Sequence, residues 1–105
     1  MVTVEYNYSE NVFNLSVKGH AGLSEKGTDI CCAGISTLVV ALDKELEKNS
    51  HMLFCQPSIR IEEGYAGFFV VAKSRYKNQV KDYFDMCMAG LNWISGEFPD
   101  HLKII

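Results

Sequence analysis

Apolar and polar residues alternate strictly at the start of this chain. Val2, Val4, Tyr6 and Tyr8 fall on one side, and Thr3, Glu5 and Asn7 on the other. A period of two over residues 2–8 predicts a half-buried strand. Ser9-Glu10-Asn11 supplies a turn, and the alternation resumes over 12–18 with Phe13, Leu15 and Val17 in phase. The two segments read as an N-terminal hairpin. Residues 19–28 carry three glycines with Ser24, Glu25 and Lys26 and show no period, as expected of a polar loop. From Ile30 to about Asn49 the spacing becomes helical, with Cys31, Ile35, Leu38, Leu42 and Leu46 on one stripe. Thr28 or Asp29 can cap that helix, because a short side-chain oxygen accepts from the exposed amides of a first turn.

The second half repeats the scheme. Ile59 and Ile61 alternate with Ser58, Arg60 and Glu62, and Glu63-Gly64 is a turn signal. Residues 65–73 are almost continuously apolar, which predicts a strand covered on both faces. A second helix is expected from about Asn78 to Ser95, with Val80, Phe84, Cys87, Leu91 and Ile94 facing inward. A short strand at Leu102–Ile105 is expected to close the sheet. The order ββαββα(β) predicts an α+β, two-layer sandwich in which two helices cover one face of a mostly antiparallel sheet. We expect a single domain spanning residues 1–105. The other face of the 65–73 strand then needs a partner, and a homodimer is expected.

Composition narrows the function classes. The 105 residues are 48 % hydrophobic and 22 % charged with a net charge of −3, ordinary for a soluble protein and unsuited to non-specific nucleic-acid binding. No basic segment followed by an apolar run opens the chain, and no apolar stretch approaches the roughly 20 residues of a membrane span. We therefore expect a cytoplasmic protein without direct nucleic-acid or membrane contact. In a reducing compartment Cys31, Cys32, Cys55 and Cys87 read as core residues or a nucleophile, not as a disulfide framework. No C-x-x-C or H-x-x-x-H spacing occurs, so neither a metal site nor another cofactor is expected.

One pair of residues carries candidate chemistry. His20 sits on a glycine-flanked loop and Cys32 at the start of the first helix. A thiol becomes a nucleophile as thiolate, which a helix N-terminus and a nearby imidazole both favour. Adjacent helical residues point about 100° apart. Cys31 therefore joins the buried stripe, while Cys32 lines up with Ser36 near the exposed first-turn amides. Those amides, that of Cys32 included, are candidate donors to an oxyanion. Ala33 and Gly34 leave room for a substrate backbone. Asp29 opposes ionisation of the thiol if it lies beside the sulfur and assists if it orients His20; the sequence leaves both open. On position alone His20 also fits a surface histidine, the only reading available for His51 and His101.

Gly19-His20-Ala21, then Cys32-Ala33-Gly34 with eleven residues between His20 and Cys32, Asp29-Ile30 before the cysteine and Ser36 after it, resembles the signature of the ribosomal-processing cysteine protease family, Prp. The likeness extends to the order of elements and to the length, and so covers the whole chain. It implies a catalytic dyad of His20 and Cys32, with supporting roles for Asp29 and Ser36. It also implies removal of an N-terminal extension from a bacterial large-subunit ribosomal protein precursor, with cleavage after paired aromatic residues. Family members are dimeric, and residues 21–28, with Ala21, Gly22 and Gly27, would form a mobile loop over the bound peptide. Position 31 is usually a plain apolar residue in the family; here it is a second cysteine. That fits a core role but leaves a vicinal disulfide, or the other cysteine as nucleophile, open. The competing reading is a non-catalytic, ribosome-associated α/β interaction module in which both cysteines are packing residues.

Overall fold

The computed structural model describes residues 1–22 and 29–105. Strand β1 (Val2–Ser9) turns through Glu10 and Asn11 into β2 (Val12–Lys18). Ser9 pairs with Val12, so two residues make the turn, and Glu10 takes a left-handed φ of 55°. Helix α1 (Ile30–Lys48), strands β3 (Ser58–Glu62) and β4 (Tyr65–Val71), helix α2 (Lys77–Glu97) and strand β5 (Leu102–Ile104) follow. Among the described residues the sheet order is β3-β4-β2-β1-β5, antiparallel except where β5 runs parallel to β1. This is the expected α+β arrangement.

Alternate residues of the strands explain why both helices lie on one face. Val2 and Val4 of β1, Phe13, Leu15 and Val17 of β2, Ala66, Phe68 and Val70 of β4, and Leu102 of β5 are buried in one cluster with the inward stripes of α1 and α2. At its centre the Phe13 and Phe84 rings stack at 5.1 Å, and Phe68 meets Phe84 edge-on at 6.2 Å. Such pairs add to the transfer free energy of the rings. The α2 stripe is the one read from the sequence: Val80, Phe84, Cys87, Leu91 and Ile94. On α1 the buried set is Cys31, Ile35, Val39, Leu42 and Leu46. Val39 takes the place expected for Leu38, because four residues beyond Ile35 the helix returns to the sheet. Leu38 points sideways against α2, where a Cβ on Gly90 would lie 2.7 Å from its methyl carbons.

Strand β4 departs from expectation. It is not covered on both faces of the chain: Ala66, Phe68 and Val70 point to the core, while Tyr65, Gly67 and Phe69 point to the open face. That open face is mainly polar, with Glu5, Asn7, Asn14, Ser16, Ser58 and Arg60 around the two aromatic residues. The Arg60 guanidinium lies over the Tyr65 ring at 4.6 Å. The apolar run therefore does not imply an apolar outer surface, because Gly67 contributes no side chain and the neighbouring strands supply polar ones. The reason advanced for a partner on this face falls away.

Topology brings distant segments to one end of the sheet. The end of β2, the start of α1 and the β3–β4 turn meet there, joined by the Gly19 N–H bond to the Gly64 carbonyl at 2.9 Å. Val2 N–H bonds the His101 carbonyl at 2.9 Å, which brings the start of β5 to the same end.

Burial of Cys87 gives the fold a pH signature. Desolvation pushes its thiol up from 9.0 to about 11. Between those values the unfolded chain releases a proton that the folded chain keeps. The contribution is present in full below pH 9 and is lost as the pH rises through 11, with a slope approaching about 1.4 kcal/mol per pH unit. Urea unfolding from pH 8.5 to 11 should show this decline, and Cys87→Ala should make it shallower. Equal slopes in the two proteins would contradict the assignment.

Candidate active site

Helix α1 begins at Asp29, whose extended backbone (φ −77°, ψ 105°) makes it the N-cap. Its Oδ1 accepts a hydrogen bond from the Cys32 N–H at 2.9 Å, and its own carbonyl accepts from the Ala33 N–H at 3.0 Å. The side chain is buried, at 7 % exposure. A carboxylate at this point also meets the positive end of the helix dipole. Of the caps expected, Asp29 fills the role; Thr28 lies outside the described residues, as do Gly27 and the rest of residues 23–28.

The two cysteines divide as helical geometry requires. Cys31 is buried at 2 % exposure, and burial, followed by the Asp29 and Cys32 charges, raises its thiol above the ordinary value. Cys32 is half-buried, and its sulfur accepts a hydrogen bond from the Ala21 N–H at 3.3 Å. One expectation changes here. The Cys32 amide, read from the sequence with its neighbours as a candidate oxyanion donor, is bonded to Asp29 Oδ1, and the Ala33 amide to the Asp29 carbonyl. The amide that faces the sulfur belongs to Ala21, on the other side of the loop.

Residues 19–21 are anchored on several sides. Gly19 adopts φ +107°, and a Cβ there would stand 2.3 Å from the Met1 carbonyl oxygen, so both conformation and space demand glycine. The Met1 nitrogen donates to the His20 carbonyl at 2.7 Å. His101 Nδ1 bonds the Ala21 carbonyl at 2.7 Å, and since a carbonyl only accepts, Nδ1 carries the proton. The Ala21 methyl is buried at 2 % exposure. The His20 imidazole is exposed and lies over Gly64, where a Cβ would come within 2.9 Å of Nε2. With φ +75° at Gly64, the β3–β4 turn is both conformationally and sterically fitted to that ring.

These parts border one groove of about 560 Å³. His20, Gly22, Asp29, Cys32 and the exposed Ser36 line it, together with the Glu62–Tyr65 turn. Its apolar wall comes from Val2, Val17, Ile35, Val39, Ile61 and Ala66. Among the described residues no hydrogen bond joins the His20 ring to the Cys32 sulfur; they face the same space, as catalytic groups commonly do before substrate draws them together. Also among the described residues, no group of three histidine, cysteine or acidic side chains is placed to hold a metal ion. Two contributors were not recognised in the sequence. Gly64 was read only as a turn residue and His101 only as a surface histidine.

A half-buried thiol at a helix start, an exposed imidazole on the same groove and a backbone amide aimed at the sulfur make up the equipment of a cysteine hydrolase. The chain belongs to the cysteine protease Prp family, whose sequence profile matches residues 1–103. No curated protein matches it significantly by sequence. Solved structures show the same fold. The ribosomal processing protease Prp of S. aureus, in complex with a covalently linked product peptide, superposes with a TM-score of 0.76 at 20 % identity, over 99 % of this chain and 97 % of that one. The same enzyme with a substrate peptide gives 0.70 at 19 % identity, over 100 % and 98 %. SMU.848 from Streptococcus mutans gives 0.70 at 25 % identity, over 99 % and 91 %. The protein is a cysteine protease, and the non-catalytic interaction module is set aside by its family.

The cap can be tested apart from the chemistry. Asp29→Ala should lower stability by about 1 kcal/mol, whereas Asp29→Asn, which keeps the acceptor oxygen, should lose less. Denaturant midpoints decide this, and equal losses would mean that the helix-cap bond is not what Asp29 contributes.

Proposed function

We propose that this protein is a cytoplasmic endopeptidase that removes the N-terminal extension of a large-subunit ribosomal protein precursor, with Cys32 as nucleophile and His20 as acid and base. The observation that carries the assignment is the Ala21 N–H bond to the Cys32 sulfur, which turns that thiol, and not Cys31, toward the groove holding His20. The printed descriptions of the S. aureus relatives, a ribosomal processing protease with substrate and product peptides, support the substrate class. Among the described residues no helix is long and apolar enough to cross a membrane.

The chemistry is acyl transfer. His20 takes the Cys32 proton, and the thiolate adds to the scissile carbonyl. The Ala21 N–H, already directed at the sulfur, is placed to donate to the oxygen that gains charge on the attached carbon. His20 then protonates the departing amine as the C–N bond breaks, leaving a thioester. Water, deprotonated by His20, hydrolyses the thioester and returns the thiol. Ser36 and Asp29 support the site from α1: Asp29 by fixing its first turn, Ser36 by lining the groove one turn beyond Cys32. Ala21 and Gly22 border the peptide. The apolar wall suits apolar and aromatic substrate side chains, in keeping with the aromatic cleavage preference implied by the family resemblance.

Incubation of the precursor with enzyme, followed by intact mass, tests the assignment. Cys32→Ala should reduce cleavage by more than about 10³-fold, the scale of loss when a nucleophile is removed, and His20→Ala should also reduce it severely. Cys31→Ala should retain most activity once folding is verified. Loss in Cys31→Ala with retention in Cys32→Ala would reverse the assignment of the nucleophile.

A further inference from the structure

We propose that His101 is a positioning residue for the reaction, holding Ala21 so that its N–H stays directed at the reacting centre on Cys32. The inference rests on Cys32 being the nucleophile. At the start of α1 the Cys32 N–H bonds Asp29 Oδ1 and the Ala33 N–H bonds the Asp29 carbonyl. Ala21 N–H, directed at the sulfur from 3.3 Å, is a donor placed to receive the developing oxyanion.

Its direction depends on how Ala21 is held. On the N-terminal side the His20 carbonyl is bonded by the Met1 nitrogen at 2.7 Å. On the C-terminal side comes Gly22, with φ +72° and no described residue within 4 Å of where a Cβ would be, a residue whose backbone is less restricted than others. The His101 Nδ1–H bond to the Ala21 carbonyl, at 2.7 Å, supplies the missing restraint. His101 is itself braced, its N–H on the Phe98 carbonyl and its carbonyl on the Val2 N–H, each at 2.9 Å.

Steady-state cleavage of a precursor-derived peptide tests this in the wild type, His101→Leu, His101→Phe and His101→Asn, with thermal melts to verify folding. Leu and Phe remove the donor but keep bulk; the Asn amide nitrogen can occupy the place of Nδ1. Misplacing one oxyanion donor should lower kcat about tenfold in the Leu and Phe variants with KM within about twofold, and Asn should recover most of the loss. Wild-type kcat in folded Leu or Phe variants would overturn the proposal. So would an Asn variant as impaired as they are, or failure of both donorless variants to fold, since each outcome assigns His101 a purely structural role. Cleavage that persists in Cys32→Ala would instead overturn the reading of the site on which the inference rests.

Discussion

A buried carboxylate bonded to the Cys32 amide fixes where α1 begins, and the arrangement of the groove depends on that bond. With Asp29 as N-cap, Cys32 becomes the third residue of the helix, close to the positive end of its dipole. The helical phase then sends Cys31 into the core beside Ile35 and leaves the Cys32 sulfur for the Ala21 amide. The same bond occupies the Cys32 amide. In the proposed mechanism the oxyanion is stabilised from the loop after β2, which the fold must hold in place by other means.

It does so with contacts from three remote parts of the chain. Met1 secures the His20 carbonyl, Gly64 both bonds Gly19 and makes room for the His20 ring, and His101 secures the Ala21 carbonyl. Three of these demands are hydrogen bonds to backbone atoms and one is space at Gly64, so few side-chain identities are prescribed beyond His20 and Cys32. This fits the retention of the fold, with TM-scores of 0.70 and 0.76, in solved structures at identities of 19 to 25 %.

Local periodicity made much of the fold legible. The alternation at Val2–Tyr8 and Phe13–Val17, and the spacing of Val80, Phe84, Cys87, Leu91 and Ile94, each reflect one element facing one core, which sequence patterns record directly. The Phe68–Phe69–Val70 run did not report its surroundings, because whether the outer side is covered depends on strands β2 and β3 beside it. In the site, Asp29, Cys31 and Cys32 were legible as neighbours on a helix. Ala21 and His101, 80 positions apart, were not, because a backbone carbonyl has no sequence signature and no period links the two. The bonding of the Cys32 amide was hidden for a related reason: two candidate caps were visible, but not which amides the cap would occupy.

The central claim is that geometry makes Cys32, alone among four cysteines, the nucleophile served by His20. A peptide vinyl sulfone carrying the acyl-side sequence of the precursor, reacted at one equivalent and followed by peptide mapping, tests it most directly. The account predicts a single adduct on Cys32 that forms far more slowly in His20→Ala. An adduct on Cys31, Cys55 or Cys87, or one on Cys32 that forms equally fast without the imidazole, would contradict it.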